Sequence, residues 1–298
     1  MTQKRWTIQE ILNVTTEFLK QKEIESSRLC SEVLLSHQLK RSRVELYLEF
    51  DRPLRSDEIS GFRSLIKRRI NREPLQYITG HQEFWSLDFL VSPAVLVPRP
   101  ETEILVEEAL RLKQDNLLPG SSSGQLTILD LGTGSGAIAV SLAKEFDSAA
   151  LWASDISAEA LAVARENAEH HTVSERITFC QGDLWQAFAN SPVTFDMIIS
   201  NPPYIPADRF HTLPPEVCSY EPRIALDGHE KGMHFIERII GEGGEYLKPG
   251  GWLLIEMDPG QTEQALELID ATQSFGYKER LKDYRKKYRM VKAQKNNG

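Results

Sequence analysis

Leu126–Gly136, LTILDLGTGSG, is the stretch whose reading decides the fold. Leu126 to Leu131 is an apolar run of strand length, and glycine follows at positions 132, 134 and 136. The next residues, AIAVSLAKEF from Ala137, read as a helix. A strand, a glycine-rich turn and a helix in succession open a nucleotide-binding α/β sheet. The glycines let the backbone turn sharply and approach a ligand closely. Asp155 ends the following apolar run, ALWASD, 19 residues beyond Gly136. A carboxylate there can accept hydrogen bonds from both hydroxyls of a ribose. No Lys-Ser or Lys-Thr follows the loop, which excludes a Walker-type phosphate cradle. Gly132, Gly134 and Ala137 also fit the loose pattern G-x-G-x-x-A, so a nicotinamide enzyme stays open at this point.

Downstream the alternation continues. SAEALAVARENAEHH, opened by Ser157, reads as a helix, RITFC, VTFDMIIS and GWLLIEM as strands, and stretches near 232–247 and 261–273 as helices. The pattern predicts a parallel sheet wrapped on both faces. Upstream the texture is helical. Thr7 with Glu10 and Ser42 with Glu45 fit capping boxes. Ile8, Ile11, Leu12, Thr15, Phe18 and Leu19 keep helical spacing, as do Ile59, Phe62, Leu65, Ile66, Arg69 and Ile70. A third run holds Leu29, Val33 and Leu34, and Pro74 closes the bundle. Lys67, Arg68 and Arg69 read as a solvated face. Trp85, Leu87, Phe89 and Val91 then alternate as a strand, and Val95 to Pro98 complete a hairpin. A helix with Leu105, Ala109 and Leu112 starts from Thr102, and GSSSG at 120–124 is a surface loop. The expected organisation is a helical domain over 1–75, a linking hairpin over 76–100 and a sheet domain over 101–298.

The 298 residues are 41% hydrophobic and 26% charged, enough for two domains and incompatible with disorder. No apolar run reaches the length of a membrane span, and the N-terminus lacks a signal-peptide h-region, so the cytoplasm is expected. Cys30, Cys180 and Cys218 are too scattered for a disulfide framework or paired zinc ligands, and no metal constellation is read. The net charge of −8 is unevenly spread: residues 1–75 carry 15 Lys and Arg against 11 Asp and Glu, the remainder 20 against 32. An acidic sheet domain argues against broad binding to a phosphate backbone.

Ser200-Asn201-Pro202-Pro203-Tyr204 follows the strand VTFDMIIS, at the carboxyl end of the sheet, where open α/β folds place their ligands. The two prolines alone would make a rigid turn. The residue types say more. The lone pair of a planar amino group is delocalised, which makes its methylation difficult. The Asn201 side-chain oxygen and the Pro202 carbonyl can accept its two N–H groups, aim the nitrogen at an electrophilic methyl and stabilise the developing positive charge. Tyr204 can stack on the flat substrate group.

GTGSG, Asp155, Asp183 and NPPY in this order resemble the class I S-adenosylmethionine-dependent methyltransferases that act on exocyclic or amide nitrogens. Pro93–Glu103, PAVLVPRPETE, with SNPPY downstream and a helical front, is similar to the release factor glutamine methyltransferases (PrmC/HemK family) over essentially the whole chain. Ala94 stands where that family more often carries glycine, a difference that touches a turn. The resemblance implies a Rossmann-like class I methyltransferase sheet with a small N-terminal helical bundle joined by a β-hairpin. It implies methyl transfer from S-adenosylmethionine to the N5 amide nitrogen of the glutamine in the GGQ motif of bacterial class 1 peptide chain release factors. Gly132, Thr133, Gly134, Ser135 and Gly136 would back the methionine part of the cofactor, and Asp155 would hold its ribose. Asp183 and Leu184 would flank the adenine, with Trp185 as the alternative ring contact. Asn201, Pro202, Pro203 and Tyr204 would grip the glutamine amide, Asn201 and Pro202 being the catalytic acceptors and Asn201 also bordering the cofactor. Arg99 and Glu101 would shape the cleft or form structural ion pairs. The helical domain would recognise the release factor; no membrane, no direct DNA binding and a monomer are expected. A ribosomal-protein glutamine methyltransferase shares this chemistry. A DNA N6-adenine methyltransferase would need a basic cleft, which the charge distribution lacks. A non-catalytic nucleoside-binding module would have no use for acceptors aimed at an amino group.

Overall fold

Two capping boxes start the helical front as expected: Glu10 N–H donates to Thr7 Oγ1 and Glu45 N–H to Ser42 Oγ, each at 3.2 Å, with both glutamates reaching back. In the computed structural model, which describes residues 5–122, 125–189 and 193–297, the chain folds as two units. One is Met1–Gly80 with Pro214–Tyr220, the other His81–Leu213 with Glu221–Gly298. Ser123 and Gly124 of the GSSSG stretch lie outside the described residues.

The first unit holds α1 (Ile8–Gln21), α2 (Ser27–Leu39), α3 (Arg43–Leu48), α4 (Ser56–Ile70) and α5 (Leu75–Thr79) around buried Ile8, Leu12, Leu19, Leu34, Leu35, Leu46 and Phe62. The phase of α2 differs from the apolar reading. Leu29 is exposed, while Cys30, Ser31 and Glu32 point inward, because Arg28 and Arg43 pair with the Glu32 carboxylate at 2.6 and 2.8 Å and make its burial tolerable. The basic run in α4 also departs from a solvated face. Arg69 is buried, donating to Glu73 O and to Glu216 at 3.0 Å, and Arg68 pairs with Glu73; only Lys67 stays exposed.

The second unit opens with a hairpin, β1 (His81–Phe84) and β2 (Leu87–Leu90). Trp85 is not a strand residue: it forms the two-residue turn with Ser86, both at positive φ (53° and 57°), as the twist of a tight hairpin requires. Glu103 accepts the Trp85 backbone N–H and Glu145 its indole N–H, each at 2.8 Å, which holds that turn without glycine. Residues 93–98 form no strand. Next come α6 (Glu103–Gln114), β3 (Thr127–Leu131), α7 (Ala137–Glu145), β4 (Ala150–Asp155), α8 (Ala158–His170), β5 (Ile177–Gln181) and β6 (Phe195–Ser200). Then α9 (Pro215–Tyr220), which carries Glu216, belongs to the helical unit; α10 (His234–Tyr246), β7 (Leu247–Glu256), α11 (Thr262–Thr272), β8 (Phe275–Lys282) and β9 (Tyr288–Lys295) complete the sheet unit.

The sheet order is β5-β4-β3-β6-β7-β9-β8, parallel from β5 to β7 and antiparallel at β9 and β8. Those last two strands were not read from the sequence. Neighbouring residues face opposite layers: Ile128, Met197 and Leu254 pack with α6 and α7 residues such as Leu105 and Val140, and Leu129, Ile198 and Leu253 with Ile236, Ile239 and Ile269. Chain order reverses about β3, so a crevice opens beyond the carboxyl ends of β3, β4 and β6. Among the described residues no helix is long and apolar enough to cross a membrane.

Candidate active site

The loop after β3 is built on left-handed backbone, with φ of 81° at Gly132, 54° at Gly134 and 81° at Gly136. Gly132 and Thr133 N–H both donate to Ser154 O at 2.8 Å, which ties the loop to β4. A Cβ at Gly132 or Gly134 would meet no atom within 4 Å, whereas one at Gly136 would lie 3.1 Å from the Ala164 Cβ. The first two glycines therefore face open space, and the third allows close packing of α7 on α8. Asp155 accepts Gly134 N–H on one oxygen and Ser157 N–H on the other, both at 2.9 Å. Each oxygen keeps lone pairs for a ligand. Burial pushes the Asp155 carboxyl up from its ordinary value, against these backbone hydrogen bonds. Beneath the loop Asp130 is wholly buried. Its Oδ2 accepts Thr133 Oγ1 at 2.7 Å and Ala139 N–H at 3.1 Å, and its Oδ1 has no hydrogen-bond partner. Burial, helped by the nearby Asp155 charge, pushes its pKa up to about 7.

A cavity of about 450 Å³ lies over the loop. Gly132 to Ser135, Asp155, Asp183, Leu184, Asn201 and Pro203 line it, with Pro98 and Thr102 on another side. The strand VTFDMIIS ends at Ser200, whose Oγ donates to Leu131 O at 2.7 Å, and this brings Asn201 level with the glycine loop. Asn201 Nδ2 donates to Thr102 Oγ1 at 3.1 Å. Pro202 is buried. Tyr204 does not line the cavity: its hydroxyl donates to Glu256 Oε1 at 3.1 Å, and its ring packs with the cluster around Ile198 and Met257. Burial against that carboxylate pushes its pKa well above the ordinary tyrosine value.

Asp183 is held by both terminal nitrogens of Arg238, at 3.1 and 2.9 Å. Leu184, at φ 48°, lines the cavity, while Trp185 is buried, stacks on Tyr246 at 4.5 Å and donates its indole N–H to Arg238 O. Of the two, only Leu184 lines the cavity. Arg99 and Glu101 leave the wall to their neighbours Pro98 and Thr102. Arg99 pairs at 2.6 Å with Glu221, a buried carboxylate that needs a cation, and Glu101 lies 3.7 Å from Arg285. Both side chains are thus engaged in ion pairs.

Residues 10–80 match the PrmC N-terminal domain family and residues 115–212 the methyltransferase small domain family. A release factor glutamine methyltransferase of Geobacter sulfurreducens is 45% identical over 274 residues, 91% of this chain and 92% of the relative. One of Rhodopirellula baltica is 40% identical over 292 residues, 97% of each chain. The chain belongs to the release factor glutamine methyltransferase family. Membership makes it a methyltransferase and closes the nicotinamide reading. Among solved structures, the hMettl16 catalytic domain in complex with MAT2A 3′UTR hairpin 6 aligns with a TM-score of 0.56 at 15% identity, over 77% of this chain and 81% of that one. The N-terminal domain of human METTL16 in complex with SAH gives 0.51 at 15% identity, over 70% and 75%. Both show the fold that this release factor glutamine methyltransferase family member shares.

One wall of the cavity escaped the sequence reading. Ile224, Ala225, His229, His234, Phe235 and Arg238 come from the segment after NPPY. The available signal was the glycine pair in Gly228-His229-Glu230-Lys231-Gly232. A Cβ at Gly232 would fall 2.1 Å from Tyr204 O and one at Gly228 would lie 2.8 Å from Tyr204 Cα, so only glycine lets this segment lie against the NPPY loop.

Proposed function

We propose that this family member transfers a methyl group from S-adenosylmethionine to the side-chain amide nitrogen of the glutamine in the GGQ motif of bacterial class 1 release factors. The observation that carries the reading is Asn201, on the cavity wall beside the glycine loop, with its N–H tied back to Thr102. That tie leaves the carbonyl oxygen as the group to meet a substrate N–H. The cavity suits the cofactor: its volume is in the range of small-molecule sites, and Gly132 and Gly134 offer a floor that any Cβ would fill. When bound, S-adenosylmethionine supplies a methyl made electrophilic by its sulfonium. Gly132 to Gly136 would back its methionine part, Asp155 would accept from the ribose hydroxyls, and Asp183 and Leu184 would border the adenine.

The remaining work belongs to the chain's own residues. Asn201 Oδ1 and the Pro202 carbonyl accept the two N–H groups of the glutamine amide and orient its nitrogen. As that nitrogen turns pyramidal its hydrogens become more positive, so both acceptors bind the transition state more tightly than the ground state. The extra proton then leaves to water, and no side-chain base is required. The helical domain, expected over residues 1–75, recognises the release factor away from the reacting residue, and the reaction takes place in the cytoplasm. The test is a tritiated-methyl transfer assay with purified release factor, free DNA and ribosomes offered in parallel. Label on the release factor glutamine is expected; label on DNA or ribosomal protein instead would overturn the proposal.

A further inference from the structure

Asp183 stands at the cap position before the short helical turn Leu184–Phe188, where an aspartate ordinarily turns its carboxylate onto the unpaired N–H groups of the helix it precedes. Here its side chain makes no such bond. Both oxygens are met instead by Arg238 of α10, 55 positions along the chain. Nη1 donates to Oδ1 at 3.1 Å, and Nη2 lies 2.9 Å from Oδ2. Among the described residues the carboxylate has no other hydrogen-bond partner. A guanidinium that meets both oxygens fixes the plane of a carboxylate as well as its place, which a single ammonium does not do. The fork therefore holds Asp183 off the turn it would cap and keeps it on the cavity wall.

Arg238 also ties the other side of this segment. Its carbonyl accepts the Trp185 indole N–H at 3.1 Å, and Trp185 stacks on Tyr246 of the same helix at 4.5 Å. Leu184 lies between the two ties at φ 48°, a backbone region that residues with a side chain rarely adopt, and it too lines the cavity. Such a conformation persists where its surroundings impose it, and here both neighbours of Leu184 are anchored to one residue. One arginine thus sets an apolar side chain and an acceptor-only carboxylate next to each other on the cavity lining. Each Asp183 oxygen keeps a lone pair after meeting Arg238. A flat ring with an amino group on its edge matches this pair, its face against Leu184 and an N–H toward Asp183.

We propose that Arg238 is a positioning residue for base recognition: by holding Asp183 on the wall it makes the cavity select a purine nucleoside that carries an amino group at C6 over one that lacks it. The proposal rests on the reading of this cavity as the S-adenosylmethionine site.

The test uses the full-length protein with Arg238→Met, Arg238→Lys and Asp183→Asn. Calorimetry measures two ligands, S-adenosylhomocysteine and its analogue with hydrogen in place of the C6 amino group, and Tm is read without ligand. Wild type should bind the amino form about 10- to 100-fold more tightly, the value of one hydrogen bond to a charged group. Arg238→Met frees the carboxylate to cap the turn, so the ratio should fall to about threefold or less, mainly through the amino form. Arg238→Lys keeps the charge without the fork; its Tm should stay near wild type while most of the ratio is lost. Asp183→Asn conserves volume but can turn an NH2 to the ligand, and it should lose the ratio as well. An ion pair that served only to stabilise the fold would weaken both ligands alike and leave the ratio standing. A wild-type ratio retained in any of the three variants would therefore overturn the proposal, as would a ratio near one in the wild type. Should Arg238→Met fail to fold, the other two variants decide. A wild type that binds neither ligand would instead overturn the reading of the cavity on which the proposal rests.

Discussion

Asp130→Asn isolates the cost of a carboxylate held under the glycine loop. Asp130 is fully buried and pushed up to about 7 from 3.8, chiefly by loss of solvent. The folded protein therefore binds this proton more tightly than the unfolded chain does. Stability falls as pH rises through about 4, and the penalty levels off above about 7, where the folded group is also ionised. A gap of about three units corresponds to roughly 4 kcal/mol in full, of which about 2.5 kcal/mol develops between pH 5 and 7.5. Asparagine keeps an oxygen for Thr133 Oγ1 and Ala139 N–H, and it places an NH2 where Oδ1 has no partner. That buried NH2 adds an offset of about 1–3 kcal/mol that does not change with pH. Urea unfolding of both proteins from pH 5 to 8 reads the difference, in which groups common to both cancel. Wild type should lose about 2.5 kcal/mol relative to Asp130→Asn over that range. Parallel stability curves would refute the reasoning and show that Asp130 ionises in the folded state near its ordinary value.

Asp155→Ala should weaken S-adenosylmethionine by at least about 100-fold in calorimetry, since hydrogen bonds to a charged group are worth about 1.5–3 kcal/mol each; unchanged affinity would refute the ribose assignment. Gly136→Ala should lower Tm, because φ of 81° and the Ala164 Cβ at 3.1 Å both penalise a side chain, at about 1–2 kcal/mol for the backbone alone. Gly132→Ala carries the same backbone strain without the clash, so it should be the more stable of the two yet lose cofactor affinity. Asn167→Ala should cost about 3 kcal/mol in chemical denaturation, because the buried amide makes three bonds, with Leu90 N–H, Leu90 O and Ser135 O, each worth about 1 kcal/mol. Asn201→Ala should lose about 10²–10³ in single-turnover methyl transfer at saturating cofactor, with cofactor affinity changing much less; a near-normal rate would mean that the Pro202 carbonyl suffices alone.

What was legible in the sequence is what local chemistry dictates. Three glycines in five residues after an apolar strand have few other uses, and the backbone is left-handed at all three. Prolines that stop a strand one residue past an asparagine fix a polar loop at the sheet's carboxyl end whatever surrounds it. What stayed hidden depends on partners far along the chain. The turn at Trp85 and Ser86 carries no glycine because Glu103 and Glu145, 18 and 60 positions away, bind its backbone and indole. Strand β9 escaped because Lys292 sits among its buried residues, which is tolerable only with Glu108 and Glu279 at 2.8 and 2.9 Å. Buried polar groups break the apolar period that sequence reading relies on, and their partners restore the energy without leaving a local trace. The site shows the same division. Asn201 could be picked out by its motif, but the orientation of its amide could not. Orientation is decided by which neighbour accepts and which donates, and Thr102, which accepts the Asn201 N–H, comes from a helix start 99 positions away that only the folded sheet brings to it. A motif therefore states which atoms a reaction needs, while the residues that choose between two ends of one side chain lie elsewhere and carry no motif of their own.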